Sequence, residues 1–400
     1  MQGLEGVRRD VELVSKSQLD DVERELQQWA HGFAAEVIRP SAAANDQQRR
    51  QPLDVLQSAF DAGLLTLGIP AEYGGGGAGS AVAQALVAEE LCWGCIGVYS
   101  YLSGTNMFIA AVLECGNDDQ RRRWLSPLCI DGPHMAAFAC TEPGGGSDVS
   151  GIRTRARKVD GGFVLNGQKI FITNAGLAHS VLIVADAMDG DERLGLTMFA
   201  ARGDLPGLSY GPRARTMGWR ASTNAEIFID DLFVADDDVI GEVGTGFAGA
   251  VRTFELSRIE VAACSIGVAR AALEYARDYA NERQAFGRPI ARFQGVSFPL
   301  ADAVTRLHAS RLLTWDAARA ADRGEPFGTK ASMAKLFASE TAVATTSQAM
   351  QVLGGHGYVE DHPVEKWFRD ARLETIEEGT SEIQRVIIGR ALLDSTTPLF

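Results

Sequence analysis

FVLNGQKIFIT, Phe163–Thr173, is rich in β-branched and aromatic residues at a period of two, and the dipeptide Asp160-Gly161 precedes it. Such a run bounded by a turn signal predicts a strand. The same texture recurs in HSVLIVADA, Gly195–Ala201 (GLTMFAA) and Asn224–Asp230 (NAEIFID), with Asn166-Gly167 and Asp189-Gly190 as further hairpin signals. A β segment of about 110 residues is therefore expected from near Pro133 to near Val243.

Helical periodicity lies on both sides. Leu19, Val22, Leu26, Trp29, Phe33 and Val37 recur at steps of three and four, after a start at Ser17 and Asp20 and before Pro40, which is expected to stop the run. Further helices are expected around 53–63, 80–93, 97–114 and 118–125. After Val243 a long helix carries Phe247, Val251, Phe254, Ala262, Ile266, Ala269, Leu273 and Ala276 on one stripe, and others follow over about 293–323, 328–353, 362–373 and 381–393. The predicted fold class is α+β in three domains: an N-terminal helical domain at 1–132, a central antiparallel β domain at 133–242, and a C-terminal four-helix bundle at 243–400.

Composition narrows the function classes. A net charge of -14 and a pI near 5.0 argue against nucleic acid or an anionic membrane as partner, since both demand concentrated Lys and Arg. No run of 18 apolar residues is evident, and the cytoplasm is the expected compartment. The six cysteines form no disulfide framework, and CWGC (Cys92, Cys95) lies in a helical pattern that favours packing over redox or metal chemistry. Histidine spacings give no metal site. YGGGGAGS supplies Gly74, Gly76 and Gly79 at dinucleotide-fingerprint spacing, but no strand precedes it, so a flexible turn is expected.

Three stretches carry chemistry. FACTEPGGGSD (Phe138–Asp148) places the Thr141 hydroxyl beside Gly144–Gly146, which permit close backbone approach to a flat or anionic ligand. Phe171 and Thr173 share a strand face, an apolar plane with a hydroxyl beside it, so a bound aromatic ring system is expected. Arg258 sits in the gap of the long helical stripe and needs an acidic or phosphate partner, with Glu255 three residues back as one structural candidate. IEEGTSEIQR (Ile376–Arg385) sets two glutamates before a glycine and a helix start, read as a capping box of Ser381 and Gln384.

Taken together, CTEPGGGSD, GQKIFITNAG, NERQAFGRPIARFQ, QVLGGHGYVEDHPVEKWFRDA and IEEGTSEIQR resemble the flavin-dependent acyl-CoA dehydrogenases over nearly the whole chain. That resemblance implies FAD as cofactor. Thr141 would hydrogen-bond the flavin, Phe138 and Cys140 line it, Gly146 is a further cofactor contact, Ser147 helps hold flavin phosphate or the pantetheine arm, and Phe171 and Thr173 pack on and bond its ring. Arg283, Gln294, Gln351 and Gly355 match positions that hold the far end of FAD from a neighbouring subunit, which implies a homotetramer built as a dimer of dimers, and Thr380 matches another FAD contact. Glu378, directly before Gly379-Thr380, matches the base that removes an α-proton from an acyl thioester.

The implied substrate contacts are Ser147, Glu255, Arg258, Glu377 and Gly379, with Glu377 shaping the pocket beside the base. Gly145 stands where alanine is usual, Phe171 where tryptophan is common, and Glu377 where many members carry tyrosine. In some relatives the base sits on the long helix instead, at the position held here by Ser257. The resemblance implies an acyl-CoA substrate and electron-transferring flavoprotein as partner. An acyl-carrier-protein thioester, docked on Arg121–Arg123 and Ile152–Lys158, and a same-fold oxidase or monooxygenase remain alternatives.

Overall fold

The computed structural model describes residues 19–394. Helices α1 (Asp21–Phe33), α2 (Arg39–Gln48), α3 (Leu53–Asp61), α4 (Ala81–Cys115) and α5 (Asp118–Leu125) precede a sheet region, and α6 (Gly246–Glu282), α7 (Gln294–Asp322), α8 (Gly328–Leu353), α9 (Val364–Ala371) and α10 (Ser381–Asp394) follow it. Helices α6, α7, α8 and α10 pack together as the C-terminal bundle, and α4 lies along α6.

Several local expectations give way to the structure. Ser17 lies outside the described residues, and Asp20 caps α1 through a reciprocal pairing with Glu23. Pro40 does not stop the helix. A π-turn at Ala34–Ile38 restarts the register, so Pro40 falls in the first turn of α2, where its missing N–H has no partner to lose. Helix α4 contains a break at Cys95 (φ -167°, ψ 113°), the gap between the two helices expected from sequence. By length and composition it could cross a membrane, yet 83% of its most apolar window is buried inside the protein.

The strands are β1 (Met135–Ala139), β2 (Arg155–Val159), β3 (Gly162–Thr173), β4 (Ala178–Asp189), β5 (Glu192–Arg202), β6 (Leu208–Tyr210), β7 (Asn224–Ala235) and β8 (Val239–Ile240), with a separate two-stranded ribbon of β9 (Gln284–Ala285) and β10 (Arg288–Pro289). Their order is β6-β7-β3-β2-β4-β5-β8. Most pairings are antiparallel, but β1 and β2 both run parallel to β4, end to end along one edge of it. Asn166-Gly167 is not a turn. It is a bulge inside β3, where Asn166 exchanges hydrogen bonds with Asp231 and a Cβ on Gly167 would lie 2.5 Å from Thr154 Oγ1.

Nor is the glycine-rich Tyr73–Ser80 segment loose: Gly76, Gly77 and Ala78 donate N–H groups back to Thr66, Ile69 and Leu67. The six cysteines are free thiols, and burial pushes Cys92 up to about 12, so CWGC is packing material. Among the described residues no cluster of potential metal ligands occurs.

The α4–α6 contact is tight because small residues meet there. A Cβ on Gly267 would stand 2.2 Å from the Glu89 carbonyl oxygen. Around this point Glu89 and Glu90 of α4 are buried against Arg270 of α6 and Arg311 of α7, with Arg270 Nη1 2.7 Å from Glu89 Oε1 and Arg311 Nε 3.0 Å from Glu89 Oε2. His31 of α1 adds a 2.8 Å contact to Glu90. Gly267→Ala should push the helices apart and lower stability by about 1–3 kcal/mol, the range for overpacked cores. Gly295→Ala, with nothing within 4 Å of the added methyl, should change stability little by comparison. Thermal unfolding of both variants checks the contrast.

Candidate active site

Between the end of β1 and the start of β2 the chain leaves the sheet as the loop 140–148. Glu142 anchors it from within. The buried carboxylate accepts from Arg153 N (2.7 Å), Thr154 N (2.9 Å), Thr154 Oγ1 (2.6 Å) and the fully buried Lys169 Nζ (2.8 Å). Lys169 also donates to the Cys140 carbonyl (3.0 Å), and Ile170 N to that of Thr141 (3.0 Å). These bonds tie the loop to β3, next to Phe171.

At Phe171 the register of β3 shifts and φ reaches 55°, which leaves its ring 68% exposed. Ile172 turns into the core and Thr173 comes back out, half-buried. Thr141 is also half-buried, Gly146 and Ser147 are exposed, and Phe138 and Cys140 are buried beneath. The Phe138 ring meets Phe254 of α6 edge-on at 5.7 Å, which joins this loop to the long helix.

The second component is the turn before α10. Glu378 and Gly379 both have left-handed backbone, at φ 49° and 90°. For glutamate that conformation is strained, so neighbours must hold it. Arg258 Nε (3.3 Å) and Gln384 Nε2 (3.2 Å) donate to the Glu378 carbonyl, and Gln384 Nε2 and Lys335 Nζ, both at 2.8 Å, donate to that of Gly379. Helix α10 is capped by Thr380, whose Oγ1 accepts from Ile383 N at 3.3 Å, and not by Ser381. The expected box fails because Gln384 faces back to the turn.

Ser257 Oγ donates to Glu378 Oε2 at 2.9 Å. Burial raises the Glu378 carboxyl above its ordinary range, opposed by Ser257, Arg258 and Lys335. Arg258 therefore braces the turn instead of pairing with Glu255. Glu255 points elsewhere, toward Arg252 (3.5 Å) and against Gly328 at the start of α8.

Glu377 faces inward. Its Oε1 and the Oε1 of the fully buried Glu374 both lack a donor, and the two carboxyls interact directly beside Lys335. Both are pushed up, first by burial.

A cavity of ≈ 230 Å³ runs between α4 and α6, with Ser257, Glu260, Asn106 and Leu256 in its wall. Glu377 is not among its lining residues. Arg283, Gln294, Gln351 and Gly355 are exposed and do not line this cavity; Arg283 leads into the β9–β10 ribbon, Gln294 opens α7, and Gln351 and Gly355 lie at the end of α8.

Models of the acyl-CoA dehydrogenase N-terminal, middle and C-terminal domains match residues 20–131, 137–232 and 244–393. The chain is 37% identical to the short-chain specific acyl-CoA dehydrogenase of Bos taurus mitochondria, over 98% of this chain and 94% of that one. The chain belongs to the acyl-CoA dehydrogenase family. Among solved structures of the acyl-CoA dehydrogenases, butyryl-CoA dehydrogenase of Megasphaera elsdenii superposes with a TM-score of 0.90 at 35% identity, covering 94% of this chain and 99% of that one. A glutaryl-CoA dehydrogenase of Mycobacterium smegmatis in complex with FADH2 gives 0.88 at 26%, covering 95% and 96%.

Two residues that hold the Glu378 turn of this acyl-CoA dehydrogenase escaped the sequence reading. Ser257 stands 121 residues before Glu378, and its hydroxyl gives no sign in the sequence of a contact at that distance. Lys335 left one signal, a lysine on the stripe of Ala331, Ala334 and Ala338 in α8, all buried.

The carboxyl pair has a measurable consequence. Groups raised from 4.5 keep their protons in the folded chain after the unfolded chain has lost them, so the contribution of this pair to stability is fullest below about pH 4.5 and is lost as pH rises toward neutrality. Glu374→Gln removes one such group. Its unfolding temperature should fall less between pH 5 and pH 8 than that of the parent, by calorimetry over that range.

Proposed function

We propose that the chain is an FAD-dependent short-chain acyl-CoA dehydrogenase, with Glu378 as the base. The observation that carries this is the Glu378 carboxyl, raised by burial and fixed by Ser257, a residue in the wall of the α4–α6 cavity. A carboxyl with a raised pKa is a stronger base once ionised, as removal of a weakly acidic α-proton demands.

The residues fit FAD. The Phe171 ring stands exposed beside the Thr141 and Thr173 hydroxyls, and a Cβ on Gly144 or Gly145 would meet nothing within 4 Å, so the exposed backbone is open to a flat ligand. Thr141, Phe171 and Thr173 would hold its ring, with Phe138, Cys140 and Gly146 lining it and Ser147 at the phosphate or pantetheine arm. FAD, when bound, supplies the hydride acceptor for the substrate β-carbon.

The protein's own residues handle the proton. Glu378 takes it from the α-carbon, and Ser257 keeps the carboxylate oriented. Among the described residues the Glu378 N–H has no acceptor, which leaves it for the thioester oxygen and any charge that builds there. Arg258, Gln384 and Lys335 hold the strained turn so that the carboxylate and this N–H face one substrate. Electrons then pass to electron-transferring flavoprotein, the partner that the family resemblance implies.

A homotetramer supports the far end of FAD. Phe286 is 95% and Tyr358 85% exposed, next to Arg283 and Gly355, an apolar surface suited to a second subunit. Thr380, which caps α10, would be a further contact.

Glu378→Gln keeps shape but accepts no proton. Anaerobic stopped-flow reduction of bound FAD by butyryl-CoA should slow at least about 10²-fold, with little change in thioester affinity; an undiminished rate removes Glu378 as base. Arg283→Ala should weaken FAD retention and subunit association together, by about 1.5–3 kcal/mol for a charge-assisted contact. Sedimentation with parallel flavin absorbance measures both.

A further inference from the structure

One turn beyond Ser257 on α6, Glu260 lines the same cavity, although only 7% of its surface is exposed. Its Oε1 accepts from Tyr99 Oη at 2.8 Å and from Asn106 Nδ2 at 3.4 Å, both on α4. Ser103 of α4 also bonds the carboxyl, and among the described residues no lysine, arginine or histidine forms an ion pair with it. The wall around it is largely hydrocarbon, from Leu256, Ile259, Met107 and Leu113. An alkyl chain passing this point would cover a carboxyl and offer it nothing.

We propose that Glu260 is a specificity residue that selects acyl thioesters whose chain carries a hydrogen-bond donor, a hydroxyl or an ammonium, near its far end. The position follows from the helix. Ser257 marks the carboxylate of Glu378, and Glu260 lies three residues on, about 4.5 Å along the axis, or roughly three to four single bonds past the α-carbon. The terminal hydroxyl of an ω-hydroxypentanoyl chain reaches that depth. The acid also suits the task chemically, because burial pushes it up to about 7 against the pull of Tyr99, and near neutral pH it accepts or donates.

This inference rests on the dehydrogenase reading only in taking the α4–α6 cavity as the acyl site, and a binding measurement separates the two. The flavin-loaded Glu378→Gln protein, which does not turn over, is titrated calorimetrically with pentanoyl-CoA and with ω-hydroxypentanoyl-CoA. The hydroxylated thioester should bind at least about tenfold more tightly, and adding Glu260→Met, which retains volume without polarity, should erase or reverse that preference. Equal affinities, or a preference unchanged by Glu260→Met, overturn the proposal and leave the acyl site standing. Binding of neither thioester overturns both. Should Glu260→Met not fold, Glu260→Gln retains the shape and the bond to Tyr99 without the charge. It should lose at least about tenfold of the preference for ω-aminopentanoyl-CoA over pentanoyl-CoA, and an unchanged preference again refutes the role.

Discussion

The crossing of α4 and α6 governs the geometry of everything that follows. Gly267 lets α6 approach the Glu89 backbone, and the Glu89, Glu90, Arg270 and Arg311 group fixes the register in which the helices meet. Breaking one partner of such a buried set costs about 3–5 kcal/mol, because a charge is left uncompensated. That register brings Ser257 and Glu260 opposite Asn106 and Tyr99. The cavity is thus a by-product of how two helices are keyed together two or more turns away.

The sheet contributes by being interrupted. β1 and β2 occupy one edge of β4 in tandem, and the residues between them have no strand to pair with, so the chain swings out as a loop. A loop released in this way would wander without Glu142 and Lys169: Lys169 fastens its start to β3, and Glu142 holds the Arg153 and Thr154 backbone where the chain returns to β2. The bulged strand that receives those bonds also lifts Phe171 off the sheet. One local device therefore sets the polar loop and the exposed ring relative to each other.

The succession of helices, strands and helices was legible because periods of three to four and of two are written along the chain itself. Where the reading failed, distant partners decided. Asn166-Gly167 has turn chemistry, but Asp231 and Thr154 make it a bulge. Pro40 is a helix stop only if the register is unbroken, and the π-turn breaks it. Arg258 was rightly expected to need a partner, yet that partner is a backbone carbonyl 120 residues away, not Glu255. Glu378 drew notice from its place before Gly379, whereas Ser257 carried no local mark of its contact with that turn, and the place of Lys335 on a buried stripe of α8 marked burial without naming its partner.

The left-handed backbone at Glu378 also sets a limit on engineering this chain. Glycine adopts φ near 49° without the penalty that a side chain brings, roughly 1–2 kcal/mol for an L-residue. A procedure that ranks substitutions by backbone compatibility alone would favour glycine here, and would discard the carboxylate in doing so. On the role proposed for Glu378, thermal robustness and turnover are opposed at a single residue, and any effort to harden the protein has to begin elsewhere.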